Sequence, residues 1–254
     1  MRSVSKTHRA TYIGQATVYI QCIHTRIVTD PIFKRSILGF IKRKNKPVVS
    51  PENLIDLKCI LISHGHLDHL SISCLKRFQP TIPIIAPKGF ERLLKRSIAA
   101  DIITLSPGEY TLLDDTRITA LPTSHIPGRW PFQKTGESLG YLVQSEKTIY
   151  FAGDTAYFDG FQAIAKEYPN IDLAILPIGS YHPAFWRKFH MNPEDTRKCC
   201  MVIKPKRVLC IHWGTYRTSL EPSREPKEKM LQLTKNTHWE SIVSVPDPGG
   251  DIEF

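Results

Sequence analysis

Residues 60–73 read ILISHGHLDHLSIS, and within them His64, His66, Asp68 and His69 place four metal-ligand side chains in six positions. Imidazole and carboxylate suit zinc, iron or manganese, and an ion held this way can activate water. In extended chain His64 and His66 point the same way and can share one ion. Asp68 and His69 then face a second direction and can reach a neighbouring ion. A helix does not explain the spacing, because residues two apart share no helix face and Gly65 is a poor helix former. Three more polar residues follow apolar runs directly: His125 after ITALPTS, Asp154 after TIYFAG and His212 after RVLCI. Strand ends are where sheet proteins gather their sites.

The elements that must position these residues read as two blocks. In the first, ATYIGQATVYIQ and TRIVTD are strands rich in Val, Ile, Thr and Tyr. CILIS (59–63) is a buried strand, PIIAP (83–87) a short one, and ERLLKRSIAA a helix. The second block begins near Thr116, with TRITALPTS, SLGYLVQ and KTIYFAG as strands, FDGFQAIAKEY as a helix, and DLAILPIG and RVLCIHW as buried strands. A further helix is signalled by Asn192 as N-cap, Pro193 at its first position, and Glu194 and Asp195 in its first turn. The expectation is one domain over 1–254 built of two α/β halves, about 1–115 and 116–254, with sheets packed together and helices outside.

Composition sets the bounds. With 254 residues, 41% hydrophobic and 23% charged, the chain is globular and can bury a large core. The start has no apolar h-region, and no run approaches the roughly 18 apolar residues of a membrane span. A cytoplasmic protein is expected, with peripheral membrane contact left open, as is a homo-oligomer. The six cysteines have no C-x-x-C spacing and read as buried reduced thiols, so they are not the metal ligands. A net charge of +10 points to anionic partners, whether nucleic acid, lipid phosphate or a phosphorylated substrate, although solubility alone also accounts for it.

These motifs resemble the metallo-β-lactamase superfamily, whose hallmark H-x-H-x-D-H stands here as HGHLDH. TYIGQATVYI with TDPIF, then TSH, FAGDTAYF, HMNPEDT and CIHWGTY are similar to the branch that holds N-acylphosphatidylethanolamine-hydrolysing phospholipase D and related sugar-phosphate lactonases. The resemblance implies an α/β fold, a four-layer αββα sandwich, and two divalent metal ions, zinc first with manganese and iron as alternatives. It implies that His64, His66 and His125 hold one ion, that Asp68, His69 and His212 hold the other, and that Asp154 bridges them. Asp30, in TDP, matches a position that orients a ligand histidine. Members of the branch it resembles commonly carry G-H-A-T where this chain has Gly14-Gln15-Ala16-Thr17, so the resemblance carries no role for that histidine over to this chain. Two metals sharing a water would direct hydroxide at phosphorus or a carbonyl. Asp68, Asp154 and His190 are the candidate catalytic residues, with His190 contacting phosphate or assisting the leaving group, or else only pinning its loop. His182 is a second such candidate; His8, His24 and His238 read as structural or surface residues.

Two segments bear on the substrate. FKRSILGFIKRKNK (33–46) has six basic residues and no acidic one, and Phe33, Ile37, Phe40 and Ile41 fall at helical spacing. That pattern predicts a basic amphipathic helix suited to an anionic membrane surface, interrupted only by Gly39. Lys42, Arg43 and Lys44 are then candidate substrate or membrane contacts. Phe185 and Trp186, with Tyr181, Phe189, Trp130 and Phe132, are candidates for an acyl-chain groove; core packing accounts for some of these rings equally well. The leading expectation is a phosphodiesterase of phospholipase D type acting on a membrane phospholipid such as N-acyl phosphatidylethanolamine. The alternatives are a hydrolase of small molecules such as sugar-phosphate lactones, a nuclease, for which no extended basic arm is present, and a metal-stabilised binding protein.

Overall fold

Alternation along the strands decides the layers. In the computed structural model, which describes residues 7–126, 128–129 and 136–254, Ile27, Cys59, Leu61 and Ile85 pack into the core between two sheets. Their neighbours Val28, Ile60, Ile62 and Ile84 pack into a second cluster under helices on the opposite face. Side chains alternate across a strand, so a strand apolar at every position has both faces buried.

The first sheet runs Asp251–Glu253, Arg9–Gly14, Thr17–Gln21, Arg26–Thr29, Cys59–Leu61, Ile84–Pro87, Ile102–Leu105. The second runs Val243–Ser244, Arg207–Ile211, Leu173–Pro177, Thr148–Phe151, Leu139–Gln144, Thr116–Pro122, Tyr110–Leu113. Each is antiparallel at one side and parallel at the other. Helices Ile72–Leu75 and Glu91–Ser97 cover the first sheet, through Leu75 and Leu94. Helices Gly160–Glu167, Pro193–Ile203 and Glu225–Thr234 bring Phe161, Ile164, Cys199, Ile203 and Met230 to the second. The result is the αββα sandwich that the sequence led us to expect. The chain's last strand pairs with its first, Arg9 opposite Glu253, so the first sheet takes one strand from the far end of the sequence.

The helix start at 192 forms as its residues require. The Asn192 side chain accepts from the Asp195 amide at 2.8 Å, and Pro193 opens the first turn. All six cysteines are buried and unpaired.

Segment 33–46 is not a helix. Ser36–Ile37 and Ile41–Lys42 form a two-stranded hairpin around Leu38-Gly39-Phe40. Leu38 (φ +52°) and Gly39 (φ +79°) both turn left-handed, which a right-handed helix excludes. Ile37 faces Ile41 across the pair. Two residues facing across a three-residue turn are four apart, the same interval that one helical turn produces.

Candidate metal centre

The loops that leave both sheets at one end carry every expected ligand. His64, His66 and His69 follow Cys59–Leu61, Asp154 follows Thr148–Phe151, and His212 follows Arg207–Ile211. His125 lies three residues past Thr116–Pro122. Two of the site's residues, Asp30 (φ +35°) and His212 (φ +62°), hold left-handed backbone without being glycine. Such strain is kept where packing over-determines it, as at ligand sites. Gly65 is required for space, because a Cβ there would run into the Phe90 ring and the Gly128 carbonyl.

Two groups of ligand atoms form. His64 Nε2 lies 2.9 Å from His66 Nδ1, and His125 Nε2 lies 3.3 Å from the same atom. The Phe189 carbonyl, 2.9 Å from His125 Nδ1, accepts its proton. That tautomer leaves Nε2 with a lone pair facing the other two rings. Asp68, His69 and His212 form the second group, with Asp68 Oδ2 3.6 Å and 3.5 Å from the two Nε2 atoms. Asp154 Oδ2 stands between the groups, 3.1 Å from His69 Nε2, 3.2 Å from His212 Nε2 and 3.9 Å from His64 Nε2. Ligand atoms around a tetrahedral zinc at about 2.0–2.1 Å stand about 3.3 Å apart, so these spacings fit a divalent ion. Asp154 Oδ1, His190 Nδ1 and His212 Nδ1 are buried without a hydrogen-bond partner.

The partners on the far side of these ligands are in place. Asp30, fully buried, accepts from the Ser63 amide and from His69 Nδ1, each at 2.7 Å. Ser63 Oγ also reaches His64 Nδ1 at 2.9 Å. Gln15, at the position where the family resemblance places a histidine, is 1% exposed. Its amide nitrogen donates to Asp68 Oδ2 at 2.7 Å and lies 2.9 Å from His212 Nε2. The departure therefore keeps a polar contact to the second group. Arg129, which sequence reasoning missed, braces the histidine loop by donating to the carbonyls of Gly65 (3.0 Å) and Leu70 (2.7 Å).

Charge separates the two groups. Burial drives His64 well below the usual imidazole range and His125 down to about 4. Burial also disfavours charge on His69 and His212, but Asp154 outweighs it, lifting His69 well above the usual range and His212 to about 9. Asp154 is itself held well down by His212 and His69 despite its burial. Asp30 is raised by burial. A metal binding at His69 and His212 would have to displace the protons that Asp154 stabilises there, so binding would release protons.

The other predicted residues divide. His190 is buried beside the cluster, with Nδ1 3.7 Å from Asp154 Oδ2, and it groups with His125 and Asp154. His182 stays outside, half-buried near Glu225. Trp186 lines the cavity over the ligands and packs 5.8 Å from the His190 ring. Phe185 stacks on Trp186 and is exposed, whereas Tyr181 is buried with its hydroxyl on Glu225. Trp130 and Phe132 lie outside the described residues. Lys42 and Lys44 are exposed. Arg43 turns inward instead, donating to the carbonyls of Ile13 (2.7 Å), Ile32 (2.8 Å) and Asn45 (2.8 Å). An arginine occupied by three carbonyls is a structural tie.

The family model of the beta-lactamase superfamily domain matches residues 25–213. The protein therefore belongs to the metallo-β-lactamase superfamily and is one of its metal-dependent hydrolases. It is 32% identical over 246 residues to N-acyl-phosphatidylethanolamine-hydrolyzing phospholipase D 1 of Caenorhabditis elegans, spanning 88% of this chain and 69% of that one. It is 27% identical over 251 residues to a UPF0173 metal-dependent hydrolase of Pelotomaculum thermopropionicum, spanning 97% and 100%. Its fold is similar to that of an isothiocyanate hydrolase from Delia radicum gut bacteria, with a TM-score of 0.78, 20% identity and coverage of 97% and 99%.

Proposed function

We propose that the protein hydrolyses the phosphodiester of a membrane phospholipid, in the manner of a phospholipase D, with N-acyl phosphatidylethanolamine as the leading substrate. One observation carries this reading. Four residues of the cluster, His66, Asp68, Asp154 and His212, line a 360 Å³ cavity with His190, with Ser180 and Thr218, and with the apolar side chains of Ile37, Leu38, Ile41, Leu67, Ile126 and Trp186. A phosphate would meet the polar residues while acyl chains lie along the apolar ones, and pockets of this size hold a small ligand or part of a lipid. The name of the Caenorhabditis elegans relative supports the same substrate class.

Two divalent ions, zinc first, bound by His64, His66 and His125 and by Asp68, His69 and His212 would supply Lewis acidity and a water acidified toward neutrality. The residues do the rest. Asp154 fixes the separation of the two groups. Asp30 and Ser63 hold the rings of His69 and His64 in the tautomer that ligates. His190, kept neutral by burial, faces the same cavity and hydrogen-bonds a phosphoryl oxygen or the departing oxygen. In the overall reaction the water oxygen bonds to phosphorus, the bond from phosphorus to the ethanolamine oxygen breaks, and that oxygen takes a proton. Phosphatidic acid and an N-acylethanolamine are the products.

The test is a panel on one metal-quantified preparation: vesicles of N-acyl and of plain phosphatidylethanolamine, a sugar-phosphate lactone, and RNA. Release of phosphatidic acid from the N-acyl lipid in preference to the other substrates is expected. Turnover confined to the lactone or to RNA would sink the lipid reading and leave the hydrolase assignment standing.

A further inference from the structure

The hairpin at residues 36–42 offers its apolar side chains to solvent at the edge of the cavity. Phe40 is 73% exposed, more than any other large apolar side chain among the described residues, and Leu38 is 48% exposed. This is not a loose loop that happens to show a hydrophobe. Its base is pinned by the Ser36–Lys42 and Ile37–Ile41 pairs, by the Arg43 guanidinium on two distant carbonyls, and by Ile37 packed with Ile32 and Tyr216. The tip projects outward from this pinned base. Ile126 (44% exposed) stands in the cavity wall, and Phe185 (57%), in the 3-10 turn Ala184–Lys188, stacks on Trp186 of that wall.

Charge tells what covers this face. Lys34, Arg35, Lys42, Lys44 and Lys46 flank the tip and are exposed, and no acidic residue occurs from 31 to 49 to neutralise them. An apolar projection inside a basic collar is the combination that inserts into an anionic lipid bilayer, with rings among the acyl chains and ammonium groups on the phosphates. A second copy of this chain would bring an equally basic collar against the first.

We propose that the Leu38-Gly39-Phe40 tip and its basic collar dock the protein on an anionic bilayer, with the cavity opening onto the lipid. The proposal rests on the lipid reading above and deepens it. A substrate would pass from the bilayer along Leu38 and Ile126 to the ligand cluster without crossing bulk water.

Co-sedimentation of the metal-loaded full chain with vesicles tests it, comparing phosphatidylcholine containing phosphatidylglycerol with phosphatidylcholine alone. Binding to the anionic vesicles, weakened by salt, is expected, with about a tenfold loss in Phe40→Ser and a comparable loss in Lys42→Ala/Lys44→Ala. Thermal melts check that each variant is folded, and Phe40→Leu should retain most of the binding. Wild-type binding that Phe40→Ser leaves unchanged overturns the docking proposal. So does absence of vesicle binding with a dimer that Phe40→Ser splits by light scattering, which would assign the face to a second copy. The two readings fail separately. Phe40-dependent binding with no phospholipid turnover refutes only the phosphodiesterase, and turnover of detergent-dispersed lipid without such binding refutes only the docking.

Discussion

Asp30 separates the orientation of a ligand from the filling of space. Its carboxylate is fully buried and accepts from the Ser63 amide and His69 Nδ1, each at 2.7 Å, and from the Ser63 hydroxyl. Asp30→Ala strands the amide and the ring N–H in dry surroundings, at about 1–3 kcal/mol each, so a loss of about 2–6 kcal/mol follows. Alanine also tolerates the +35° φ poorly. Asp30→Asn is the sharper variant, since asparagine accepts that backbone and keeps an oxygen for the Ser63 amide. What it loses is the charge opposite His69. The expected stability loss is about 1–3 kcal/mol, and metal affinity should fall about 10–100-fold through the misoriented ring. Urea melts report the first quantity, and zinc competition against a chromogenic chelator reports the second. If Asp30→Asn binds zinc as tightly as wild type while losing stability, Asp30 merely packs and the orientation argument is wrong.

Three other substitutions probe separate claims. His190→Ala should keep the wild-type metal content and lower kcat by about a hundredfold or more; wild-type turnover on the best substrate of the panel would remove His190 from the reaction. Arg43→Ala should destabilise by about 2–4 kcal/mol, because three carbonyls lose a charged donor, whereas exposed Lys44→Ala should change stability by under about 0.5 kcal/mol; equal urea midpoints would refute the inward assignment. Glu146 ties the two sheets by accepting from the His24 amide at 2.7 Å and from Thr25 Oγ1. Partial burial pushes its carboxyl up, but the His24 amide and further hydrogen bonds outweigh that and hold it at about 2. Its folded-state value lies below the unfolded one of about 4.3, so its stabilisation is present above that value and fades as pH falls toward 2. Discounted for exposure, Glu146→Ala should cost about 1 kcal/mol at neutral pH; urea melts from neutral pH down to pH 3 should show the gap shrinking, and a constant gap contradicts the linkage.

The candidate ligands were legible because each stands where an apolar run ends, and HGHLDH is contiguous. Their grouping came from the family resemblance and not from spacing, since His125, Asp154 and His212 are far apart in the chain and come together through the packing of two sheets. The helix misread at 33–46 has a physical source: the four-residue interval between Ile37 and Ile41 fits one helical turn and equally a three-residue hairpin. Leu38 carried the error, since a leucine in left-handed backbone gives no sign of it in its type. Arg43 and Arg129 look like any other basic residues in the sequence; that both end on buried carbonyls is decided by long-range packing. The short last strand, Asp251–Glu253, is stabilised by its pairing with Arg9–Gly14 and has little local pattern of its own.

In the proposed reaction water attacks phosphorus and displaces the ethanolamine oxygen of the phospholipid. Turnover of N-acyl phosphatidylethanolamine in water enriched in heavy oxygen, followed by mass spectrometry of the products, tests it most directly. The account predicts one heavy oxygen in the phosphoryl group of the phosphatidic acid and none in the N-acylethanolamine. Heavy oxygen in a released fatty acid, or no phosphatidic acid from a preparation with its metals bound, would contradict it.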